Sequence, residues 1–256
     1  MKHYLKYAYN SKSKFKIHSP FVFTFIINVL ENRKKDYMHF PKQLLSHYKA
    51  LKIKVSVSGN AGEGSKSLSK KQIPAIRFIG KVGLPAKYGK VLNGLIEENK
   101  IEHVIELGTS LGRSTSFLVS GNRVKVTTVE ANKEMLDISK EAFNHLGQSG
   151  FVTFVHARFD EVFGELCKND LSNTLIFIDG DHGKDAVLNL FKTCLPYTKP
   201  STILVFDDIY WSPGMTEAWC DIEQHDEVKL SLDIYRMGIV FFRKATKAKE
   251  HFQLWY

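Results

Sequence analysis

From residue 102 onward, short apolar runs alternate with stretches of helix length. The runs are HVIEL, VKVTTVE, FVTFVHA, TLIFID and TILVFDD. Each is rich in Val, Ile or Phe and has the length of one buried strand. The stretches between them predict helices over about 113–120, 133–146, 159–168 and 184–194. Strands alternating with amphipathic helices argue for βαβ units and an α/β fold with a parallel sheet. The end of the chain breaks the alternation. A helix over about 213–224 is followed by VKLSLDI, a two-residue break at Tyr235–Arg236, and MGIVFFRK. Strands so close together pair only as a hairpin, because a parallel pair needs a long crossover. The expected sheet therefore has seven strands, mostly parallel, with one antiparallel strand near the C-terminal edge.

The first hundred residues follow another pattern. In SPFVFTFIINVLENRKK, Ser19 is a candidate cap and Pro20 suits the first helical position. FPKQLLSHYKALKIK has apolar residues at helical spacing, and a further helix is expected over about 86–99. Residues 56–72, SVSGNAGEGSKSLSKKQ, read as a Ser/Gly-rich loop. The expected organisation is a basic, mainly helical extension over 1–85 and a second domain over 86–256.

Charge sharpens that division. Residues 1–100 hold 20 Lys and Arg against 5 Asp and Glu, a net of +15, whereas residues 101–256 carry a net of −6. Such asymmetry suits contact with nucleic acid or an anionic surface, and equally a solvated basic face. The longest apolar stretch, PFVFTFIINVL, falls short of the about 20 residues that span a bilayer. No transmembrane segment or signal peptide is expected. Cys167, Cys194 and Cys220 lack metal-ligand spacing and read as buried free thiols of a cytoplasmic protein.

Candidate chemistry gathers where strands end. In a doubly wound sheet, ligands bind outside the carboxyl ends of the strands. The first strand ends in IELGTSLGRST, where Gly108 and Gly112 permit a sharp turn and a close ligand. Their spacing is G-x-x-x-G, not the G-x-G-x-x-G that seats a pyrophosphate. Glu106 would repel a phosphate and favour a cation. The pattern suits a ligand with positive charge and no phosphate, such as an amino-acid ammonium or a sulfonium; a plain strand-to-helix turn is the simpler alternative. Glu130 ends the second strand, 18 residues after Gly112, about where an acid takes ribose hydroxyls. With the glycine turn it indicates an adenosine-type cofactor. IFIDGDHGKD and VFDDIYW bring Asp179, Asp181, His182, Asp207 and Asp208 to the same edge. Carboxylates that close repel unless some are protonated or a cation neutralises them. Oxygen ligands of this kind suit Mg²⁺ or another divalent cation. His182 reads as a general base, a metal ligand or a turn residue.

Together these residues resemble the class I S-adenosylmethionine-dependent methyltransferases, over roughly residues 86–243. ELGTSLGRST looks like their first motif, TVE like their ribose-binding acid, and the reversed hairpin like their last two strands. FIDGDH followed by FDDIYW looks like the O-methyltransferase branch that includes the catechol and caffeoyl-coenzyme A enzymes. The resemblance implies a Rossmann-like fold and S-adenosyl-L-methionine as cofactor. Glu106 would sit near its amino-acid part, the backbone of Gly108, Thr109, Ser110 and Gly112 along its methionine and ribose, and Glu130 on the ribose hydroxyls. Ala157, Arg158 and Phe159 would lie beside the adenine. Asp179 serves both as a cofactor contact and as a metal position, with Asp207 and Asp208 completing the metal set. Asp208 stands where Asn is common, and GDH after Asp179 differs from the best-studied members. Asp179, Asp181 and His182 are the catalytic candidates; without a metal, His182 or Asp181 would accept the proton of the acceptor.

The implied reaction is methylation of a hydroxyl on a small-molecule acceptor. Lys87 and Tyr88 before the first strand, and Trp211, Pro213 and Met215 after the fifth, are candidates for covering that acceptor. An RNA or nucleic-acid-binding methyltransferase using the basic extension is the alternative, although the N/D-P-P-Y/F motif of amino-group methyltransferases is replaced by DGDH. A dehydrogenase is disfavoured by the glycine spacing. An oligomer is compatible with the sequence.

Overall fold

Pro20 lacks the N–H that the first turn of a helix leaves unpaired anyway, and it opens α1 (Pro20–Phe25), which continues as a π-helical turn over Ile26–Leu30. The computed structural model describes residues 7–31, 37–57, 71–121, 124–243 and 249–256. In α2 (His39–Ala50), Phe40, Leu44, His47 and Tyr48 share one buried face, the three-and-four spacing of an amphipathic helix. The chain then forms an antiparallel pair, β1 (Lys54–Val57) with β2 (Lys71–Pro74). The loop expected over 56–72 is thus shorter than expected: its first and last two residues lie in strands. Its residues 58–70 fall outside the described ones. Two helices, α3 (Ala75–Val82) and α4 (Ala86–Glu98), lead to the main sheet.

The alternation from residue 102 forms as expected. It runs β3 (His103–Leu107), α5 (Arg113–Leu118), β4 (Lys125–Glu130), α6 (Lys133–His145), β5 (Val152–His156), α7 (Phe159–Cys167), β6 (Thr174–Ile178), α8 (Lys184–Cys194) and β7 (Ile203–Phe206). After these come α9 (Pro213–Gln224), the hairpin strands β8 (Leu230–Asp233) and β9 (Gly238–Phe241), and β10 (Glu250–Gln253). The sheet order is β10-β8-β9-β7-β6-β3-β4-β5. Only β9 runs against its neighbours: it is antiparallel to β7 and β8, whereas β10 is parallel to β8.

The sheet therefore has eight strands where the apolar pattern gave seven. The extra one, β10, is a four-residue edge strand of mixed polarity, and it carries no run of buried side chains that would announce it.

Side chains of a strand alternate between the two faces of the sheet. On β3, Val104 joins the core formed with α1, α2, α4, α5 and α6, while Ile105 and Leu107 join the core under α7, α8 and α9. Residues of the N-terminal segment, including Val22, Phe25, Leu44 and Tyr48, share the first of these cores with Val104, Phe177 and Val205 of the sheet. Cys167 and Cys194 are buried free thiols, but Cys220 is exposed. The reason is its position on α9: Met215, Ala218, Trp219 and Ile222 form the inward stripe, and Cys220 falls outside it. Among the described residues, no helix is long and apolar enough to cross a membrane.

Candidate cofactor and acceptor site

The same alternation aligns three acids. If Val104 faces the first core, so does Glu106; if Phe177 does, so does Asp179; if Val205 does, so does Asp207. The register pairs Glu106 with Phe177, and Phe177 with Val205, so adjacent strands deliver these acids to neighbouring places at their C-terminal ends. The chain between the strands closes the site. Asp179 donates its N–H to Leu107 O at 2.9 Å, and Asp207 donates its own to Ile178 O at 3.0 Å.

Gly108 makes this closeness possible. Its φ is +115°, and a Cβ there would lie 2.0 Å from the carbonyl oxygen of Asp179. Gly112 is restricted by φ +70° and by the Phe143 ring, 2.7 Å from where its Cβ would stand. Between them Ser110 also has positive φ, +48°. The cost of that backbone is offset by Glu130: its Oε2 accepts the Ser110 N–H and its Oε1 the Asn132 N–H, each at 2.8 Å. Each carboxylate oxygen keeps capacity for a further donor, so Glu130 stays able to receive hydroxyls.

Glu106 lies beneath the turn, fully buried at 0% exposure. Its Oε2 accepts the hydroxyls of Thr115 at 2.5 Å and Thr128 at 2.6 Å, while Oε1 is buried without a partner. Burial outweighs those hydroxyls and the carboxyl is pushed up to about 7. Thr109 completes the bracing through the Thr128 hydroxyl at 2.6 Å.

Two cavities lie near these strand ends, and the smaller is lined by the turn. One of about 170 Å³ is lined by Gly83, Leu84, Gly108, Ser110, Arg113 and Asp179, among others. The other, about 420 Å³, is lined by Ala131, Arg158, Phe159, Asp181 and Asn189, among others. Glu130 is bonded to Ser110 of the first and precedes Ala131 of the second in sequence. Ala157 is drawn to the strand ends instead, donating its N–H to Glu130 O at 3.3 Å. Arg158 is exposed and pairs with Asp160 at 3.1 Å. Phe159 packs where a Cβ on Gly180 would stand, which explains the glycine of DGDH.

The acids beyond Asp179 divide. Asp207 is 1% exposed and held in a fork by Arg236: Nε reaches Oδ1 at 2.9 Å and Nη2 reaches Oδ2 at 2.7 Å. The same Nη2 reaches Asp208 Oδ2 at 3.3 Å. Asp179 is held well above the usual carboxylate range by burial and by Asp207, and Asp208 is raised for the same two reasons. Asp181 is exposed with φ +50°, and His182 stands 6.3 Å from the Trp211 ring.

The expected divalent cation can be tested on this geometry. A divalent cation would need these carboxylates turned towards it and clear of any other positive charge. Both oxygens of Asp207 and one of Asp208 already receive guanidinium hydrogen bonds. Among the described residues, no group of three or more His, Cys, Asp or Glu side chains is arranged to hold a metal ion. The donor set does not fit a cation as it stands.

The adenosyl cofactor fits better. The turn has a backbone that no Cβ may crowd, a strand-end acid, an unpartnered buried carboxylate oxygen and a cavity that it lines.

Of the acceptor candidates, Trp211 is 71% exposed and Pro213 is exposed, but Met215 is buried in the core. Its position on the inward stripe of α9 decides that. Tyr88 donates to Ile234 O at 3.4 Å and its hydroxyl is pushed up to about 12 by burial. Lys87 Nζ lies 3.9 Å from the centre of the Tyr256 ring.

Arg236 was missed as a site residue because it read only as half of a turn. A signal existed. Since β8 runs parallel to β7, the β8–β9 turn must fall at the edge where Asp207 ends its strand. The brace from α2 had none: Tyr48 donates to Leu111 O at 3.1 Å and Arg113 donates to Pro41 O at 3.1 Å, contacts that only tertiary structure reveals.

Residues 105–209 match the family described as a methyltransferase domain. A protein of Mycobacterium sp. (strain JLS), provisionally named an O-methyltransferase, is 34% identical over 106 residues. The match covers 40% of this chain and 47% of that protein, so the chain aligns with about half the length of this curated relative. The fold is shared with solved structures. An O-methyltransferase from Bacillus cereus in complex with SAH gives a TM-score of 0.57 at 18% identity, covering 86% of this chain and 96% of that one. TomG from Streptomyces achromogenes, an O-methyltransferase of tomaymycin synthesis solved with SAM, gives 0.55 at 16% identity, covering 63% and 82%. The likeness to these two enzymes is one of overall fold.

Proposed function

We propose that the protein is an S-adenosylmethionine-dependent methyltransferase that acts on a hydroxyl of a small-molecule acceptor in the cytoplasm. The observation that carries the reading is the turn Gly108–Gly112, tied to Glu130 through Ser110, pressed against Asp179 and lining a cavity. The names of the Mycobacterium relative and of the two solved enzymes point the same way.

In this reading S-adenosylmethionine, when bound, supplies an electrophilic methyl group on a sulfonium. The chain's own residues bind and orient. Glu130 takes the ribose hydroxyls. Backbone of Gly108, Thr109, Ser110 and Gly112 lines the central part, with Asp179 facing it. Arg158 and Phe159 border the adenine side, and Ala157 holds Glu130 in place from behind. Glu106 offers its unpartnered oxygen to the ammonium end, directly or through water.

On the acceptor side, His182 is the group for the hydroxyl proton. It stands beside the exposed Trp211, and nothing in its surroundings resembles the guanidinium fork that occupies Asp207. Asp181, exposed at the mouth of the larger cavity, is the second candidate. Residues 1–85 form the basic helical extension and 86–256 the catalytic unit. The extension supports the site through Tyr48 and Pro41.

The test is calorimetric titration with S-adenosylmethionine, S-adenosylhomocysteine and NAD. Micromolar binding of the first two, and none of NAD, is expected. Absence of binding by either adenosyl compound removes the proposal.

A further inference from the structure

Arg236 is the residue that the function above leaves without a part. It occupies the two-residue turn of the β8–β9 hairpin, where Tyr235 has φ +72° and Ile234 N–H bonds Met237 O at 3.0 Å. The turn is locked to the loop after β7, because Ile209 donates its N–H to Arg236 O at 3.1 Å. Backbone on both sides is therefore fixed, and the guanidinium has one direction to take.

That direction is into the acids. Nε and Nη2 grip Asp207 in a fork, and Nη2 extends to Asp208 at 3.3 Å. A bidentate guanidinium–carboxylate pair is the strong, geometrically selective form of an ion pair. Asp207 is 1% exposed, whereas the Arg236 side chain keeps 22% of its surface open. The cation thus lies on the solvent side of Asp207 and shares the partly open edge with Asp208. Its Nη1 donates to no group among the described residues and remains available.

We propose that Arg236 is the built-in cation of the acceptor site: it holds the position among Asp179, Asp207 and Asp208 that a divalent metal would need, so this site takes no metal, and its free N–H groups orient the acceptor oxygen. The part concerning the acceptor rests on the function proposed above; the part concerning the metal does not. A guanidinium suits the task. It is charged at every working pH, and its planar fork matches a carboxylate in a way that a lysine ammonium does not. Arg236 is a positioning residue for the carboxylates, and a contact for the acceptor.

The inference is tested by Mn²⁺ titration followed by electron paramagnetic resonance, without any acceptor. Wild-type protein, alone and with S-adenosylhomocysteine, is expected to bind Mn²⁺ no more tightly than the Asp207→Asn variant. Arg236→Gln frees the carboxylates and is expected to gain Mn²⁺ affinity by roughly tenfold or more, the gain being lost again in Arg236→Gln with Asp207→Asn. Arg236→Lys, which keeps a charge, is expected to gain less. Wild-type Mn²⁺ binding that Asp207→Asn removes overturns the proposal, and so does a folded Arg236→Gln protein without any gain. If Arg236→Gln does not fold, the wild-type comparison decides alone. Calorimetry with S-adenosylhomocysteine on the same samples separates this outcome from failure of the cofactor reading, which would abolish that binding while leaving the metal result intact.

Discussion

Gly108 and Asp179 meet so closely that a single methyl group on Gly108 would overlap the Asp179 carbonyl oxygen, 2.0 Å away. One contact joins the end of β3 to the end of β6, and both the cofactor turn and the acid row depend on it. Gly108→Ala meets two penalties. The φ of +115° is strained for any residue with a Cβ, and backbone has to shift to relieve the overlap. A destabilisation of about 2–4 kcal/mol is expected, with loss of S-adenosylhomocysteine binding by more than about a hundredfold. Gly147→Ala is the control, since it has φ +70° but nothing within 4 Å of the added carbon. It should lose only about 1 kcal/mol and bind normally. Thermal unfolding and calorimetry on the pair separate the close approach from the backbone angle.

Glu106 makes stability and binding respond to pH in opposite senses. Its ordinary value is 4.5, and burial raises it to about 7 in the folded protein. Below 4.5 it is protonated in both states. As pH rises from there through 7, the unfolded chain releases a proton that the folded chain keeps, and the contribution of Glu106 to stability is lost. At about 1.4 kcal/mol per unit, the whole loss is on the order of 3 kcal/mol. Glu106→Gln stays neutral, so its melting temperature should match wild type near pH 4.5 and exceed it increasingly towards pH 7. A cationic ligand end favours the carboxylate. Binding of S-adenosylmethionine should therefore release a proton near neutral pH in wild type and less in the variant. Calorimetry in buffers of different ionisation enthalpy reads that proton directly. Equal proton release in both proteins would show that Glu106 does not face the ammonium.

The N-terminal segment braces the cofactor turn from outside. Tyr48 of α2 is fully buried and donates to Leu111 O at 3.1 Å, in the middle of the turn. Tyr48→Phe leaves that carbonyl without this donor and should cost about 1–3 kcal/mol. The sharper expectation concerns binding. If the brace holds the turn in shape, affinity for S-adenosylhomocysteine falls by roughly three- to tenfold while Tyr37→Phe, which removes a hydroxyl bonded to Glu97 at 2.6 Å away from the turn, leaves it unchanged. Equal affinity in both variants would confine Tyr48 to stability.

How much of this was legible beforehand depends on the range of the interaction. Strands β3 to β7 and helices α6 to α9 follow from local periodicity, because each carries an apolar run or a spaced apolar stripe readable along the sequence. The acids at 179, 207 and 208 and the turn at 108–112 were legible for a topological reason: parallel strands bring their C-terminal residues to one edge. The strands β1, β2 and β10 were not, since four residues of mixed polarity give no periodic signal and form only against a partner. The fork of Arg236 on Asp207 spans 29 positions of sequence. Charge alone does not say which of 36 basic residues would reach that acid.

The acceptor side is tested at His182 and Trp211, which face each other at 6.3 Å. They should fail differently. Trp211 is 71% exposed, with its ring beside that of His182. As a cover for the acceptor it contributes binding, so Trp211→Ala should raise the acceptor KM by roughly tenfold or more with kcat nearly unchanged. His182, as the proton acceptor, contributes to the reaction and not to affinity. His182→Gln should lower kcat by about 10²–10⁴ while leaving cofactor affinity and acceptor KM close to wild type. A glutamine variant that keeps kcat would assign the proton to another group, with Asp181→Asn the next substitution to measure.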